Sequence, residues 1–122
     1  MPILDIEIVT AKDEAPGDGL ASKLADAAAK VFETPDGRTW VRLRTLPRAR
    51  YAENGGGPPK TVLPVFVSVL KSAPPYGDLR KTEAKNLAEA VAFALERPQE
   101  NVHVLYEPAT GGRIAFGGNL LA

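Results

Sequence analysis

The chain has 122 residues, a length that suits one domain built around a single core. Fifteen basic residues balance fifteen acidic ones, so no overall field attracts nucleic acid or an anionic membrane. The absence of cysteine excludes disulfide scaffolds and thiolate catalysis, and with a single histidine no metal site is expected. No long apolar run or signal-peptide pattern is present, so we expect a soluble, cytoplasmic protein.

The first predicted element is a β-strand, because apolar and acidic residues alternate from Leu4 to Val9. Pro2 precedes it, where a proline interrupts no ladder. Removal of the initiator Met1, usual before proline, would leave Pro2 with a free secondary amine at the end of an anchored strand. Desolvation would lower the pKa of this amine toward neutrality, where it can exchange protons. Two interpretations stay open: Pro2 begins a strand, or it carries a proton. A retained Met1 would acylate the nitrogen and exclude the second.

The first half continues with one helix and one further strand. In the second strand, Val41 and Leu43 share one face while Arg42 and Arg44 share the other, since side chains two apart point the same way. The predicted elements are a polar loop at 10–19, a helix at 20–32 capped by Asp18, a stop at 34–37, a strand at 39–46 and a long connection at 47–59.

The second half repeats this plan. Its predicted elements are an apolar strand at 62–70 with Pro64 near its start, a turn at 71–77, a helix at 78–97, a strand at 101–106 and a hairpin at 111–118. Each half therefore runs strand, helix, strand, which predicts a single α+β domain of two pseudo-repeats, 1–57 and 61–122. Right-handed crossovers would put two helices on one face of a four-stranded sheet, followed by the short C-terminal hairpin.

The predicted strand at 62–70 also bears on assembly. An apolar strand of this kind would leave a large apolar patch on the sheet face that the helices do not cover. We therefore expect self-association with the sheets facing inward. The alternative is a monomer with a polar outer face.

Several of these features together resemble the tautomerase superfamily, whose members include 4-oxalocrotonate tautomerase, 5-carboxymethyl-2-hydroxymuconate isomerase and macrophage migration inhibitory factor. The features are Pro2 after the initiator, the βαβ unit, the pattern Pro-x-x-x-x-x-Val-Arg-Leu at 35–43, and the segment Ile-Ala-Phe-Gly-Gly-Asn-Leu at 114–120. The resemblance covers nearly the whole chain, as a fused two-unit subunit. It implies a trimer of sheets and a cofactor-independent isomerase.

The resemblance also implies roles for individual residues. Pro2 would be general base or general acid for a small 2-oxo or 2-hydroxy unsaturated carboxylate, and Arg42 matches the strand arginine that grips carboxylates in the superfamily. Arg44 would add to that grip or belong to a solvated strand face. His103 takes the position equivalent to Arg42 in the second unit and is expected to be a neutral, structural imidazole. The apolar wall around the amine is expected to come from Tyr51, Ile114 and Phe116.

A second resemblance concerns Glu53. The segment 51–55 is similar to the aromatic-x-Glu-x-Gly segment of trans-3-chloroacrylic acid dehalogenase, whose glutamate activates water while the proline acts as acid. Glu53 would then make the protein a hydratase or dehalogenase-like lyase, or it is simply a loop acid. The paired arginines that follow the first strand in such dehalogenases are absent here, where only Lys12 is present.

Three functions stay open from the sequence: a tautomerase based on Pro2, a Pro2 and Glu53 hydratase or lyase, and a non-catalytic trimeric binding protein. No cofactor, metal, nucleic acid or membrane partner is expected, because an amine and cationic side chains are sufficient to move a proton. The expected partners are a small carboxylate substrate and two further copies of the chain. The sequence leaves the roles of Lys71 and Arg113 open.

Overall fold

The chain forms a four-stranded sheet, two α-helices and a small hairpin, and the computed structural model describes all of residues 1–122. Short 3-10 turns follow the second strand and precede the fourth. The elements are β1 (Ile3–Thr10), α1 (Leu20–Phe32), β2 (Trp40–Pro47), β3 (Val65–Leu70), α2 (Gly77–Leu95), β4 (Val102–Tyr106), β5 (Ala115–Phe116) and β6 (Asn119–Leu120).

The sheet has the order β2-β1-β3-β4. Strand β1 pairs in parallel with β2, β3 pairs in parallel with β4, and an antiparallel pairing of β1 with β3 joins the two βαβ units. Ile3 is opposite both Trp40 and Leu70. We call the end of the sheet at which β1 and β2 start and β3 finishes the Pro2 end, and the opposite end the far end. The α+β class and the βαβ plan are thereby confirmed, while the two pseudo-repeats stay a prediction.

The two helices cover one face of the sheet, here called the inner face, as predicted. Alternation along β1 and β3 turns every second side chain toward the helices, where these residues are almost completely buried. Full burial of one such aliphatic side chain stabilises the fold by about 1.5–3 kcal/mol. The main members of this core are Leu4, Ile6, Ile8, Val65, Val67, Val69, Leu24, Ala28, Leu87 and Val91.

The other face, here called the outer face, has two unlike halves. On β1 and β2 it carries acidic residues of β1 opposite Arg42 and Arg44, in register. On β3 and β4 it carries Phe66, Leu70 and Leu105, and Leu105 is 61% exposed. The outer face is therefore neither uniformly apolar nor uniformly polar, because Val65, Val67 and Val69 point to the inner face instead.

Most element boundaries agree with the predictions within one residue. Strand β3 begins at Val65 rather than at residue 62, because Pro64 has no N–H to donate; its carbonyl instead accepts a hydrogen bond from the Val9 N–H at 3.0 Å. Helix α2 ends at Leu95 because Glu96 is left-handed, with φ 55°. A C-terminal hairpin is present as predicted, but it spans residues 115–120 rather than 111–118, because Gly117 and Gly118 form its turn instead of its end.

The prediction that Asp18 caps α1 is wrong. The cap position is Gly19, whose φ of 81° lies in the left-handed region, and no side chain caps the helix. Neither helix combines the length and apolar character that a membrane-spanning segment needs.

Candidate active site

Pro2 is a buried residue at the Pro2 end. Its carbonyl accepts a hydrogen bond from the Trp40 N–H at 3.1 Å, so the first residue of β2 fixes the backbone of Pro2. The indole N–H of Trp40 donates to the Gly37 carbonyl at 3.0 Å, and its ring meets Phe116 edge-on with centroids 5.5 Å apart. The Trp40 side chain belongs to the outer face, two residues before Arg42, so Pro2 meets the backbone of Trp40 rather than its ring. Sequence reasoning named Phe116 but missed Trp40, although the parallel start of β2 beside β1 was a signal for it.

Lys71 lies on the other side of Pro2. Ile3 and Leu70 are the last antiparallel pair of β1 and β3, so Pro2 and Lys71 are each the next residue beyond that pair. Both continue the alternation of the inner face. The Lys71 Nζ lies 3.0 Å from Glu83 Oε2 on α2 and 4.8 Å from the ring centroid of Phe32. The two charged side chains are only 19% and 15% exposed, which makes this the most buried ion pair of the chain.

Tyr106, the last residue of β4, completes this arrangement. Its hydroxyl donates to Glu83 Oε1 at 2.8 Å, so each oxygen of Glu83 accepts one hydrogen bond. Burial, and then the bond to Glu83, strongly raise the pKa of Tyr106. We call these three residues the Lys71–Glu83–Tyr106 network. They are distant in the sequence, and only Lys71 drew attention there.

Arg42 and Arg44 lie on the outer face, as their alternation with Val41 and Leu43 predicts. Arg42 holds Asp5 through two hydrogen bonds, Nε to Oδ1 at 2.5 Å and Nη2 to Oδ2 at 2.7 Å. The hydrogen bond from Arg42 holds the pKa of Asp5 below its ordinary value, against the opposing effect of burial. Arg44 makes a looser pair with Glu7 at 3.1 Å. Within one chain, the structure therefore brings neither arginine to the face that Pro2 occupies.

Glu53 and Tyr51 lie beside the far end. The Tyr51 hydroxyl donates to Glu53 Oε2 at 2.6 Å, and this bond raises the pKa of Tyr51. The Tyr51 ring lies 5.8 Å from that of Phe66, which lies 5.4 Å from His103. Phe66 is opposite Glu7, four residues along β1 from Ile3, or roughly 13 Å at the usual strand rise. Within one chain, Glu53 and Tyr51 therefore lie far from Pro2.

The remaining sequence candidates occupy peripheral positions. Ile114 precedes the hairpin and its carbonyl accepts a hydrogen bond from the Leu121 N–H at 2.9 Å. His103 is exposed on β4, and the exposed Arg113 donates to the Ala109 carbonyl at 2.9 Å. No group of three or more histidine, cysteine, aspartate or glutamate residues is arranged to hold a metal ion. A shallow groove of about 900 Å³ crosses the helices near Ala27 and Phe93, away from the Pro2 end.

Comparison with known proteins relates this architecture to solved structures. No known family profile and no curated protein matches the chain. The structure of Pt0534 inactivated by 2-oxo-3-pentynoate superposes with a TM-score of 0.74 at 16% identity, over 98% of this chain and 96% of that one. Macrophage migration inhibitory factor from Oncomelania hupensis gives 0.71 at 17% identity, over 98% and 81%. A fused 4-OT asymmetric trimer gives 0.72 at 18% identity, over 95% and 93%.

The chain has the tautomerase-superfamily fold. The resemblance drawn from Pro2, the βαβ units and the hairpin segment is thereby confirmed at the level of the fold. The match runs over nearly the whole chain, so it includes both βαβ units and the C-terminal hairpin. In this tautomerase-like fold, the first residues of the chain lead into the central strand β1, at the Pro2 end of the sheet. There the backbone of Trp40 and Lys71 flank Pro2.

Proposed function

We propose that this chain is a cofactor-independent tautomerase that acts on a small 2-oxo or 2-hydroxy unsaturated carboxylate. Pro2, once Met1 has been removed, carries the proton. The observation that supports this most is the burial of Pro2 at the start of β1, in a fold shared with tautomerases. The protein Pt0534, which has this fold, is inactivated by 2-oxo-3-pentynoate, itself a small 2-oxo carboxylate.

The proposed chemistry follows from the surroundings of Pro2. The burial of Pro2 would disfavour the ammonium form of its free amine, so the pKa of this amine would fall toward the range in which it exchanges protons. Removal of a proton next to a carbonyl builds negative charge on the enolate oxygen, which a fixed cation stabilises. The substrate carboxylate needs a cation as well. Arg42 and Arg44 are the sequence-derived candidates for these tasks.

These arginines would reach a substrate beside Pro2 only from another subunit, because their own chain holds them on the outer face. We therefore propose a homotrimer, in keeping with the fused 4-OT trimers that share the fold. Phe66, Leu70 and Leu105 supply the apolar side chains that such an assembly would cover. In the trimer, a neighbouring subunit would also bring Tyr51 and Ile114 toward the wall around Pro2.

A second function is favoured by the hydrogen bond between Tyr51 and Glu53. A carboxylate oriented by a phenol is suited to activate water, and the raised pKa of Tyr51 keeps that phenol a donor at neutral pH. Glu53 of one subunit and Pro2 of the next would then form a hydratase or dehalogenase-like lyase. A trimeric binding protein without turnover is the third candidate.

Ketonisation of phenylenolpyruvate tests the first function. Intact mass first establishes whether Met1 is absent. We expect Pro2→Ala to lower kcat/KM about 100-fold or more, since a positioned general acid or base contributes about 10²–10⁴. Pro98→Ala, at an exposed proline before β4, is the matched control and should behave like the wild type. Equal rates in wild type and Pro2→Ala, or a retained Met1, would reject proline catalysis.

The same protein separates the second function from the first. If Glu53 activates water, Glu53→Gln abolishes hydration of an acetylenic or halogenated acrylate and retains ketonisation. Absence of both activities in the wild type, together with a trimeric mass, would favour the binding protein.

A further inference from the structure

The ion pair of Lys71 with Glu83 lies where the proposed reaction needs a cation, and no sequence pattern assigns it. We propose that Lys71 binds the carboxylate of the substrate beside Pro2, and that Glu83 and Tyr106 are positioning residues for its ammonium group. This inference rests on the proposed function and deepens it, because it names a specificity determinant supplied by the same chain as Pro2.

Position is the first argument. Pro2 and Lys71 are the residues next to the terminal pair Ile3 and Leu70, on neighbouring antiparallel strands. Both follow the inner-face alternation, whereas Arg42 is turned to the outer face. Lys71 is therefore the cation that a single chain presents on the side of the sheet where Pro2 lies, without help from a second subunit.

The hydrogen-bonding capacity of Lys71 is the second argument. An ammonium group has three N–H donors. One goes to Glu83 Oε2, and the contact with the Phe32 ring takes a second direction. At least one donor is left for a ligand. Because the side chain is 19% exposed, the ammonium is reachable and yet poorly hydrated, which strengthens its attraction for an anion compared with a fully exposed lysine.

The third argument is that Glu83 is already engaged on both oxygens. Lys71 donates to one and Tyr106 to the other, so Glu83 fixes the ammonium group and the phenol relative to each other. Tyr106 is itself packed against Arg80, whose guanidinium carbon lies 5.3 Å from the ring centroid. The Nε of Arg80 donates to the Pro75 carbonyl at 2.7 Å, which ties this second cation to the turn before α2. Lys71 thus contacts Phe32 of α1 and Glu83 of α2, and Tyr106 of β4 holds Glu83 in turn.

The test compares a carboxylate ligand with a neutral one. Binding is measured by isothermal titration calorimetry, which requires neither turnover nor a chromophore beside the ligand. Phenylpyruvate and its methyl ester are titrated into wild type, Lys71→Met, Lys71→Arg and Lys85→Met. Lys85 is an exposed lysine on α2, two residues beyond Glu83, and serves as the matched control.

We expect Lys71→Met to weaken phenylpyruvate binding about 10-fold or more, the usual loss for a hydrogen bond to a charged group, and to leave the ester unchanged. Lys71→Arg should restore part of the affinity, and Lys85→Met should match the wild type. Glu83→Gln and Tyr106→Phe should raise KM for the carboxylate about 3-fold through the misplaced ammonium, with kcat retained. A purely structural role would instead affect acid and ester alike.

Unchanged phenylpyruvate affinity in a folded Lys71→Met, or equal losses for acid and ester, would overturn the inference. Failure of the proposed function gives a different result, since Pro2→Ala would then leave turnover unaltered whatever the binding data. Absence of any phenylpyruvate binding by the wild type would count against Lys71 as well.

Discussion

The two faces of the sheet treat the same kind of charge pair in opposite ways. On the inner face, Lys71 and Glu83 are both less than one-fifth exposed and are joined by the hydroxyl of Tyr106. On the outer face, Arg42 grips Asp5 with two hydrogen bonds but is itself 69% exposed. The inner pair is buried and is held by Phe32 of α1 and Tyr106 of β4 as well, while the outer pair depends on two hydrogen bonds between neighbouring strands.

This difference indicates what one chain can complete by itself. Pro2 and the Lys71 cation lie on the same face, within one chain. Arg42 and Glu53 have no counterpart of this kind, so a role for them in the reaction of Pro2 requires a second subunit. Four predictions test this contrast between the faces, from the largest expected effect to the smallest.

The first prediction concerns subunit mixing. If Arg42 serves Pro2 of a neighbouring subunit, Pro2→Ala and Arg42→Ala trimers are each nearly inactive, but co-refolding them in equal amounts restores activity. A site is intact only when its Pro2 comes from an Arg42→Ala chain and its Arg42 comes from a neighbouring Pro2→Ala chain. Each has a chance of about one half, so roughly a quarter of the sites are intact. The measurement is phenylenolpyruvate turnover per chain. No recovery would place Arg42 and Pro2 in the same chain, and an active Arg42→Ala would remove Arg42 from the reaction.

The second prediction concerns the apolar half of the outer face. Leu105→Glu puts a charge where Leu105 is exposed in the single chain and covered in the proposed trimer. The molecular mass measured by sedimentation should fall from about three chain masses for the wild type to one for the variant. The circular dichroism spectrum should be unchanged. Lys85→Glu, on the helix side, is the control and should stay trimeric. A wild-type monomer would contradict the assembly.

The third prediction contrasts neighbours on β1. Ile6 is fully buried on the inner face, so Ile6→Ala should lower the free energy of unfolding by about 3 kcal/mol. Glu7 points to the outer face, and Glu7→Ala should change it by no more than about 0.5 kcal/mol. Urea unfolding at neutral pH measures both. Similar losses would mean that both faces carry the core.

The fourth prediction is a small pH effect on the outer face. Since the pKa of folded Asp5 is lowered, its contribution to stability is present above the ordinary aspartate pKa and is lost as pH falls through the folded value. Asp5→Asn should therefore be less stable than wild type at neutral pH, with the difference fading in acid. Urea midpoints across that range measure it, with the exposed Asp18→Asn as control. A difference that persists unchanged in acid would exclude the ionised pair as its cause.

Local patterns predicted much of this protein because their causes are local. Alternation at Val41, Arg42, Leu43 and Arg44 identified the strand and its two faces, since successive side chains of a strand must point to opposite sides. The limits of α1 followed from helical spacing in the same way. The cap at Asp18 failed because the residue before α1 is Gly19, whose left-handed backbone suits glycine, and the Gly17 carbonyl accepts a hydrogen bond from the Leu20 N–H at 3.3 Å.

The candidate site was less accessible from the sequence. Arg42 was singled out by its motif, but its partner Asp5 follows from the parallel register of β1 and β2, which no local pattern contains. Lys71, Glu83 and Tyr106 belong to the end of β3, the middle of α2 and the end of β4, and come together only when α2 docks on the sheet. Their proximity is therefore a property of packing.

The sequence by itself determined the strand and helix periods, the two βαβ units and the place of Pro2 at the head of β1, because each depends on neighbours along the chain. Tertiary structure alone decided which cation lies on the face of Pro2 and which is held away by a carboxylate. Strand register and helix docking bring together residues that are distant in sequence, and at the Pro2 end they join Pro2 with Lys71 rather than with Arg42.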